Sequence, residues 1–562
     1  MHVSGIQAFV EMLAQHGVRY IFGNPGTTEL PLNDALVGEQ RIRYILGLQE
    51  VPVMAMADGF AMASGELGVV NLHVSCGVGN AMGMLYNAHR EGTPLLVTAG
   101  QQDRRLAFEE PILWGDLVRV TRPWTKWAVE VARVEDLPSA LRRAIQLALA
   151  PPTGPVFMAL PMDVQMALAD LDLTTPAPVD TRVRPPTEAL ARAAEVLASA
   201  RNPGILVGSR LVERGAVDEI VSVAERLGAR AIAEPAHTLG RQGFPCDHPL
   251  YGQSMPLWSP EIRDALAEFD VLLVVGMDLL RQYVYHEPAR AIPEHIRLVH
   301  LDEDPYQLGK NYPLEVGVVC DLKTGLAELA ARLEQIMPSD QKRAAVVRAR
   351  SWEKRHDKVR ADLRREIDAQ RERRPMTPLT LMESVARALP ANVAVVEEAV
   401  TTTSSTLQRL GALKNTTGYF GHRGWALGWG LGCALGVKLA WPDRPVLALL
   451  GEGSAMYGIQ GLWSAAHYQI PVTFVICNNG HYQILKAGAR GLELPAAQQE
   501  KFVGMDLRQP EIDMVALARS LGVEAERISE PAQLTAALEA SLGAKGPKLI
   551  DVAIEPSLAG PT

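Results

Sequence analysis

Short apolar runs recur along the chain, each followed by a small or polar residue and then by a stretch of helical periodicity. Residues 446–450 (VLALL) and 472–477 (VTFVIC) are two such runs, with the helix-like segment 460–469 between them. At the start of the chain, residues 5–15 have the spacing of an amphipathic helix, and 20–22 (YIF) read as a strand. Further strands are expected near 205–207, 271–275 and 298–301. Continuous rather than alternating apolar strands, separated by helices, predict α/β architecture with parallel sheets covered by helices on both faces.

Two proline-rich stretches break this pattern, at 174–187 (TTPAPVDTRVRPPT) and 374–378. The second follows a highly charged segment, 340–373, in which Val346, Val347, Trp352, Val359 and Leu363 are spaced as on a helix; it reads as a solvated linker helix. Three doubly wound domains are predicted, at 1–175, 185–335 and 375–562. A weak internal repeat supports the division. Residues 69–98 and 446–475 both read as strand, Gly-x-Gly turn, helix with Ala-His near its end, a loop with Pro, and strand. The middle segment has no Gly-x-Gly-x-x-Gly after its first strand, so nothing there points to dinucleotide binding.

Composition narrows the class. With 562 residues, 48% hydrophobic and 21% charged, the chain suits a multidomain globular protein. A net charge of −9 gives no electrostatic reason to bind nucleic acid or an anionic membrane. Cys76, Cys246, Cys320, Cys433 and Cys477 are scattered, without CxxC spacing, which argues against disulfide and zinc frameworks and for a reducing compartment. The first residues show no secretory signal pattern, and the longest apolar run, 424–436, is too short to span a bilayer and reads as a buried helix. A soluble cytoplasmic protein is expected.

The chemistry-bearing motif lies near the C-terminal end. Gly451-Glu452-Gly453 follows one apolar strand and Asn478-Asn479 ends the next. Two parallel strands joined by one helix bring both loops to the carboxyl edge of a sheet, where open α/β folds bind ligands. Glu452 and Asn479 can offer two oxygens to one hard cation, and glycines let the backbone approach a phosphate. This outlines a Mg²⁺-diphosphate site.

That motif resembles the Gly-Asp-Gly…Asn-Asn signature of thiamine-diphosphate (ThDP) enzymes, with Glu452 in place of the usual Asp. The first domain strengthens the resemblance. Residues 22–31 (FGNPGTTELP), 44–50 (YILGLQE) and Ala57-Asp58-Gly59 are similar to the pyrimidine-binding domain of ThDP-dependent decarboxylases. Residues 71–73 with 77–83, 97–102, Arg122-Pro123 and Lys126-Trp127 resemble the benzoylformate decarboxylases among them.

Several site residues follow from the resemblance. Glu50 becomes the carboxylate that bonds the pyrimidine N1′, and Leu427 the apolar wedge that bends the cofactor, with a carbonyl near Trp425 holding the exocyclic amine. Gly451, Gly453 and Ser454 meet the diphosphate. Glu452, the Asn479 side chain and the His481 carbonyl form the metal set; Mg²⁺ wants oxygens at about 2.0–2.1 Å in octahedral geometry. Because Glu is one bond of about 1.5 Å longer than Asp, the loop or rotamer must differ. On the substrate side, His73 is expected to move protons and Thr27 to contact the substrate carboxylate. The second proton-transfer group aligns with either Tyr283 or His286. Gly26, Leu113, Ile484 and Leu485 are expected around the pocket, and Gly488 stands where that enzyme has a large aromatic.

The function this implies is ThDP- and Mg²⁺-dependent decarboxylation of a benzoylformate-like 2-keto acid to an aldehyde and CO₂, with carboligation to 2-hydroxy ketones as a side activity. A dimer-of-dimers assembly is implied as well. Rival readings are a carboligase of the acetolactate-synthase or benzaldehyde-lyase type, a flavin-dependent oxidase of the same superfamily, and a non-catalytic ThDP-binding protein.

Overall fold

The computed structural model of the chain describes residues 1–177, 179–235 and 239–556. Three six-stranded sheets follow one another along it, and all strand pairings within them are parallel. The first runs from Tyr20–Gly23 to Val156–Pro161, the second from Pro203–Val207 to Val316–Val319, and the third from Ala394–Glu398 to Lys548–Ala553. Strands such as Gly68–Leu72, Leu95–Gln101, Val271–Val275 and Thr473–Asn478 are buried along their whole length. Helices cover both faces of each sheet, so uninterrupted apolar runs are what these positions require.

With the strands of each sheet numbered one to six in chain order, the first and third sheets share the order 2-1-3-4-6-5, whereas the middle sheet reads 3-2-1-4-5-6. The internal repeat falls on the third and fourth strands of both matching sheets. Its Gly-x-Gly element differs from the expected turn: in the first domain Gly77 and Gly79 lie inside the helix Val74–Glu91, which begins directly after His73.

In the first and third sheets the strand order reverses between strands one and three. The crevice beyond their carboxyl ends is where such folds hold ligands. In the first sheet it is bordered by residues 24–29 and by His73; in the third, by Glu398 and Glu452.

The linker helix spans Ser339–Gln370 and buries Ala345, Trp352, His356, Leu363 and Ile367, a 7-4-7-4 spacing that forms one stripe. Val346 and Val347, expected on that stripe, point to solvent. A second difference concerns residues 424–436. The helix there is Trp429–Ala440, and 424–428 form a loop in which Trp425 (φ 66°) and Gly428 (φ 96°) adopt left-handed backbone. Apolar composition runs unbroken across both, so hydropathy alone merges loop and helix.

The helix Trp429–Ala440 packs against Glu50–Ser64 of the first domain so closely that a Cβ on Gly436 would lie 1.9 Å from the Met56 carbonyl oxygen. Trp429 Nε1 donates to Asp58 across the same seam at 2.5 Å. This contact brings the pyrimidine-type and diphosphate-type motifs together within one chain.

Candidate active site

Glu50 opens the helix Glu50–Ser64 and is buried. Asn24 Nδ2 donates to its Oε1 at 3.3 Å, and Asn80 Nδ2 to its Oε2 at 3.0 Å. Both carboxylate oxygens are thereby oriented by neutral donors, which leaves the acid without a competing cation among these hydrogen-bond partners.

His73 caps the helix Val74–Glu91, and its Nδ1 lies 2.8 Å from Glu29 Oε2. The buried Glu29 carboxylate also accepts from Gly26 N at 2.9 Å, Gly100 N at 2.8 Å and Thr28 Oγ1 at 2.7 Å. A carboxylate bonded to Nδ1 makes that nitrogen the donor and leaves Nε2 as the nitrogen free to exchange a proton with a ligand. The ring rests on Gly26, where a Cβ would lie 2.2 Å from Nδ1; only glycine fits. Val74, next in the chain, has φ 33°, a strained value for a β-branched residue. Thr27 is exposed at the rim beside Gly26.

In the third domain, Glu452 is the first residue of the short helix Glu452–Ala455. Its Oε1 accepts the His481 N–H at 3.1 Å, and the same N–H lies 2.9 Å from Asn479 Oδ1. A carboxylate and an amide oxygen therefore converge on one point, as a shared cation would require. Burial raises the Glu452 carboxyl above its ordinary range, and the N–H groups of Asn479, Gly480 and His481 offset part of that rise. No group of three or more His, Cys, Asp or Glu able to hold a metal occurs among the described residues. A cation here would take one carboxylate, one amide, a carbonyl and ligand oxygens, a set that suits Mg²⁺ and its preference for substrate phosphates. Gly453 has a local reason to be glycine, since a Cβ there would sit 2.6 Å from the Tyr482 ring. The Ser454 hydroxyl donates to the Glu398 carbonyl at 3.0 Å, with the Gly451 carbonyl at 3.2 Å.

The loop carrying Trp425 and Leu427 is pinned from three sides. Asn87 of the first domain pairs with Ala426 through both amide atoms, at 2.8 and 3.0 Å. His422 Nδ1 accepts the Trp425 N–H at 3.0 Å, and burial pulls its imidazole down to about 4, so it stays neutral. Glu398 accepts the N–H groups of Gly428, Trp429 and Gly430, each at 3.0 Å. Leu427 itself is 37% exposed, standing out from the loop rather than packed in a helix.

Tyr283 and His286, the two candidates for the second proton-transfer group, have different surroundings. Tyr283 packs on Trp425 with ring centroids 4.6 Å apart and on Trp258 at 6.1 Å, whereas His286 packs on the Trp258 ring at 4.8 Å. Ile484 and Leu485 lie in the first turn of the helix Gln483–Gly491, and Leu113 (φ 69°) lies in a segment with Phe108 and Ile112 almost fully exposed. Glu29, Asn80, His422 and Glu398 were not singled out from sequence. Glu29 and Asn80 fall within quoted motifs, and Glu398 ends an apolar run, which was the available signal.

Comparison with known proteins agrees with this geometry. Residues 3–112, 190–329 and 399–552 match, in turn, the N-terminal TPP binding, central and C-terminal TPP binding domains of thiamine pyrophosphate enzymes. The chain is 36% identical to a benzoylformate decarboxylase of Pseudomonas aeruginosa over 97% of its length and 98% of that protein's. It is 27% identical to a probable acetolactate synthase large subunit of Methanocaldococcus jannaschii, covering 100% of this chain and 93% of the other. Among solved structures, the ThDP-dependent 4-hydroxybenzoylformate decarboxylase of Rhodococcus jostii RHA1 superposes with a TM-score of 0.85 at 30% identity, covering 99% of this chain and 100% of that one. Two ThDP-type sheets of matching strand order around a third domain, and relatives aligned end to end, lead to one conclusion: this chain belongs to the thiamine pyrophosphate enzyme family and is related to benzoylformate decarboxylase and acetolactate synthase.

Proposed function

We propose that the protein is a ThDP- and Mg²⁺-dependent decarboxylase of a benzoylformate-like 2-keto acid, releasing CO₂ and an aldehyde, with carboligation as a side activity. The observation that carries this reading is the Glu29–His73 pair beside Glu50: a histidine with one nitrogen fixed by a buried carboxylate is built for proton transfer. A protein that only bound the cofactor would need neither group.

ThDP, when bound, supplies the electron sink for the carbanion left by CO₂ loss. Glu50 would hold the proton at the pyrimidine N1′. His73 would exchange a proton with substrate or product at Nε2, while Glu29 keeps its ring in place. Thr27 at the rim would meet the substrate carboxylate, and Tyr283, against Trp425, would wall the acyl side. Glu452, Asn479 and the His481 carbonyl would hold Mg²⁺, and Gly451, Gly453 and Ser454 would border the diphosphate. The exposed apolar side chains Leu30, Phe108, Ile112 and Met166 are compatible with self-association, and a dimer of dimers is the assembly that the family resemblance implies.

One observation weighs against the flavin reading. Beside the switch point of the middle sheet the buried Arg210 pairs with Asp278 at 3.0 Å and Asp302 at 2.8 Å, so its charge is already matched within the chain. The test is incubation with ThDP, Mg²⁺ and a panel of aryl and alkyl 2-keto acids, following CO₂ and aldehyde. Turnover of aryl acids is expected. Acetolactate from pyruvate as the main product, or no CO₂ from any acid, would overturn the proposal.

A further inference from the structure

Glu398 has no part in the chemistry outlined above, yet it stands between the two loops that would enclose the cofactor. It ends the first strand of the third sheet, on one side of the switch point, and is 2% exposed. Its Oε1 accepts from Gly428 and Trp429 and its Oε2 from Gly430. These are the first N–H groups of the helix Trp429–Ala440, which no helical carbonyl can satisfy. They also follow Leu427 directly. Through its own carbonyl the same residue holds Ser454, two positions after Glu452.

We infer that Glu398 is a positioning residue, which sets the Leu427 loop at a fixed distance from the Glu452–Ser454 loop and so preshapes the seat for a bent ThDP. The inference rests on the ThDP reading of the site. Two features make the carboxylate needed rather than convenient. The loop it holds contains two left-handed residues, Trp425 and Gly428, and such backbone persists only where its surroundings over-determine it. The three donors also approach from one side at equal distance, a pattern that two carboxylate oxygens match and an amide does not. Burial raises the Glu398 carboxyl to about 7 even against the lowering by these three N–H groups.

The neighbouring residue supplies an internal control. Glu397 points to the opposite face of the strand, where it accepts from Thr403 Oγ1. The experiment measures ThDP binding at fixed Mg²⁺ by tryptophan fluorescence, together with melting temperature, for wild type, Glu398→Gln, Glu398→Asp and Glu397→Gln. Gln would turn an NH₂ toward an N–H. It should raise the ThDP dissociation constant by about ten-fold or more, a factor equal to about 1.4 kcal/mol. Asp keeps the charge but is shorter, so it should fall between Gln and wild type. Glu397→Gln should lower the melting temperature and leave ThDP affinity as in wild type.

Folded Glu398→Gln with wild-type affinity overturns the inference, as does a Glu397→Gln variant that loses affinity equally. If Glu398→Gln does not fold, Glu398→Asp decides by the same criterion. If neither folds, Glu398 serves the fold rather than the cofactor and the inference fails. Wild-type protein that does not bind ThDP would instead sink the underlying reading.

Discussion

Replacing Glu29 by Gln tests the proton-transfer reading without touching His73. The wild-type carboxylate is buried and takes four hydrogen bonds, from His73 Nδ1 (2.8 Å), Gly26 N (2.9 Å), Gly100 N (2.8 Å) and Thr28 Oγ1 (2.7 Å). A glutamine has one oxygen for two of these donors. If that oxygen keeps Gly100 and Thr28, the NH₂ faces the Gly26 N–H and His73 Nδ1. Two consequences follow. A buried charge-assisted bond is replaced by a donor–donor contact, costing about 2–3 kcal/mol of stability. More telling, Nδ1 must then accept a hydrogen bond, so the proton moves to Nε2 and the ring presents the wrong nitrogen to the ligand. The loss of general acid–base catalysis from such a change is about 10²–10⁴-fold.

The assay is decarboxylation of an aryl 2-keto acid at saturating ThDP, comparing Glu29→Gln, His73→Ala and the double variant, with circular dichroism as the check on folding. If Glu29 acts through His73, the double variant should be little worse than His73→Ala alone. A folded Glu29→Gln enzyme with near wild-type kcat, or two effects that simply multiply, would refute the reasoning.

Three further outcomes are expected. Burial raises the Asp58 carboxyl from 3.8 to about 7, so the folded state binds this proton more tightly than the unfolded chain; the group's contribution to stability is complete below about pH 4 and is lost as pH rises through about 7. In Asp58→Asn that loss disappears, and the melting-temperature gap to wild type should shift in the variant's favour between about pH 5 and about pH 8; a constant gap would contradict it. Tyr283→Ala should raise KM for an aryl 2-keto acid more than His286→Ala does, because Tyr283 packs on Trp425 whereas His286 packs on Trp258; the opposite order in steady-state kinetics would reject the assignment. Glu452→Ala should lose ThDP affinity at fixed Mg²⁺ whereas Glu452→Asp retains it, and equal affinity for Ala and wild type in a binding titration would take Glu452 out of the metal site.

Much of the fold was legible because strands buried on both faces must be continuously apolar, and residues 446–450 and 472–477 sit within one residue of the strands Val446–Gly451 and Thr473–Asn478. Hydropathy fails where a loop is as apolar as the helix it enters, which is why 424–428 was read as helix. Motif spacing singled out Glu452 and Asn479, and the family resemblance Glu50 and His73; all four lie at or just beyond the carboxyl ends of strands in two sheets. The sequence could not tell the surroundings of Tyr283 from those of His286, because these rings pack on Trp425 and Trp258, respectively about 140 residues after and about 25 before them in the chain, and only packing brings them together.

The acids that sequence reading passed over share one property. Glu29 binds the N–H groups of Gly26 and Gly100, and Glu398 those of Gly428, Trp429 and Gly430. Glu452, which was singled out as a metal ligand, also accepts the His481 N–H. Each lies beside a switch point, and each ties a loop to the carboxyl edge of its sheet. A sequence shows that a residue is an acid, but it does not show how many backbone donors converge on it, since those donors come from segments distant in the chain. Acids whose partners are side chains or cofactors leave motifs of residue type, as Glu50 does with Asn24 and Asn80. Acids whose partners are N–H groups leave almost none, because any residue supplies an N–H. The anchoring roles of Glu29 and Glu398 therefore had to be found in the structure, while Glu50, the proposed catalytic acid, could be singled out in the sequence.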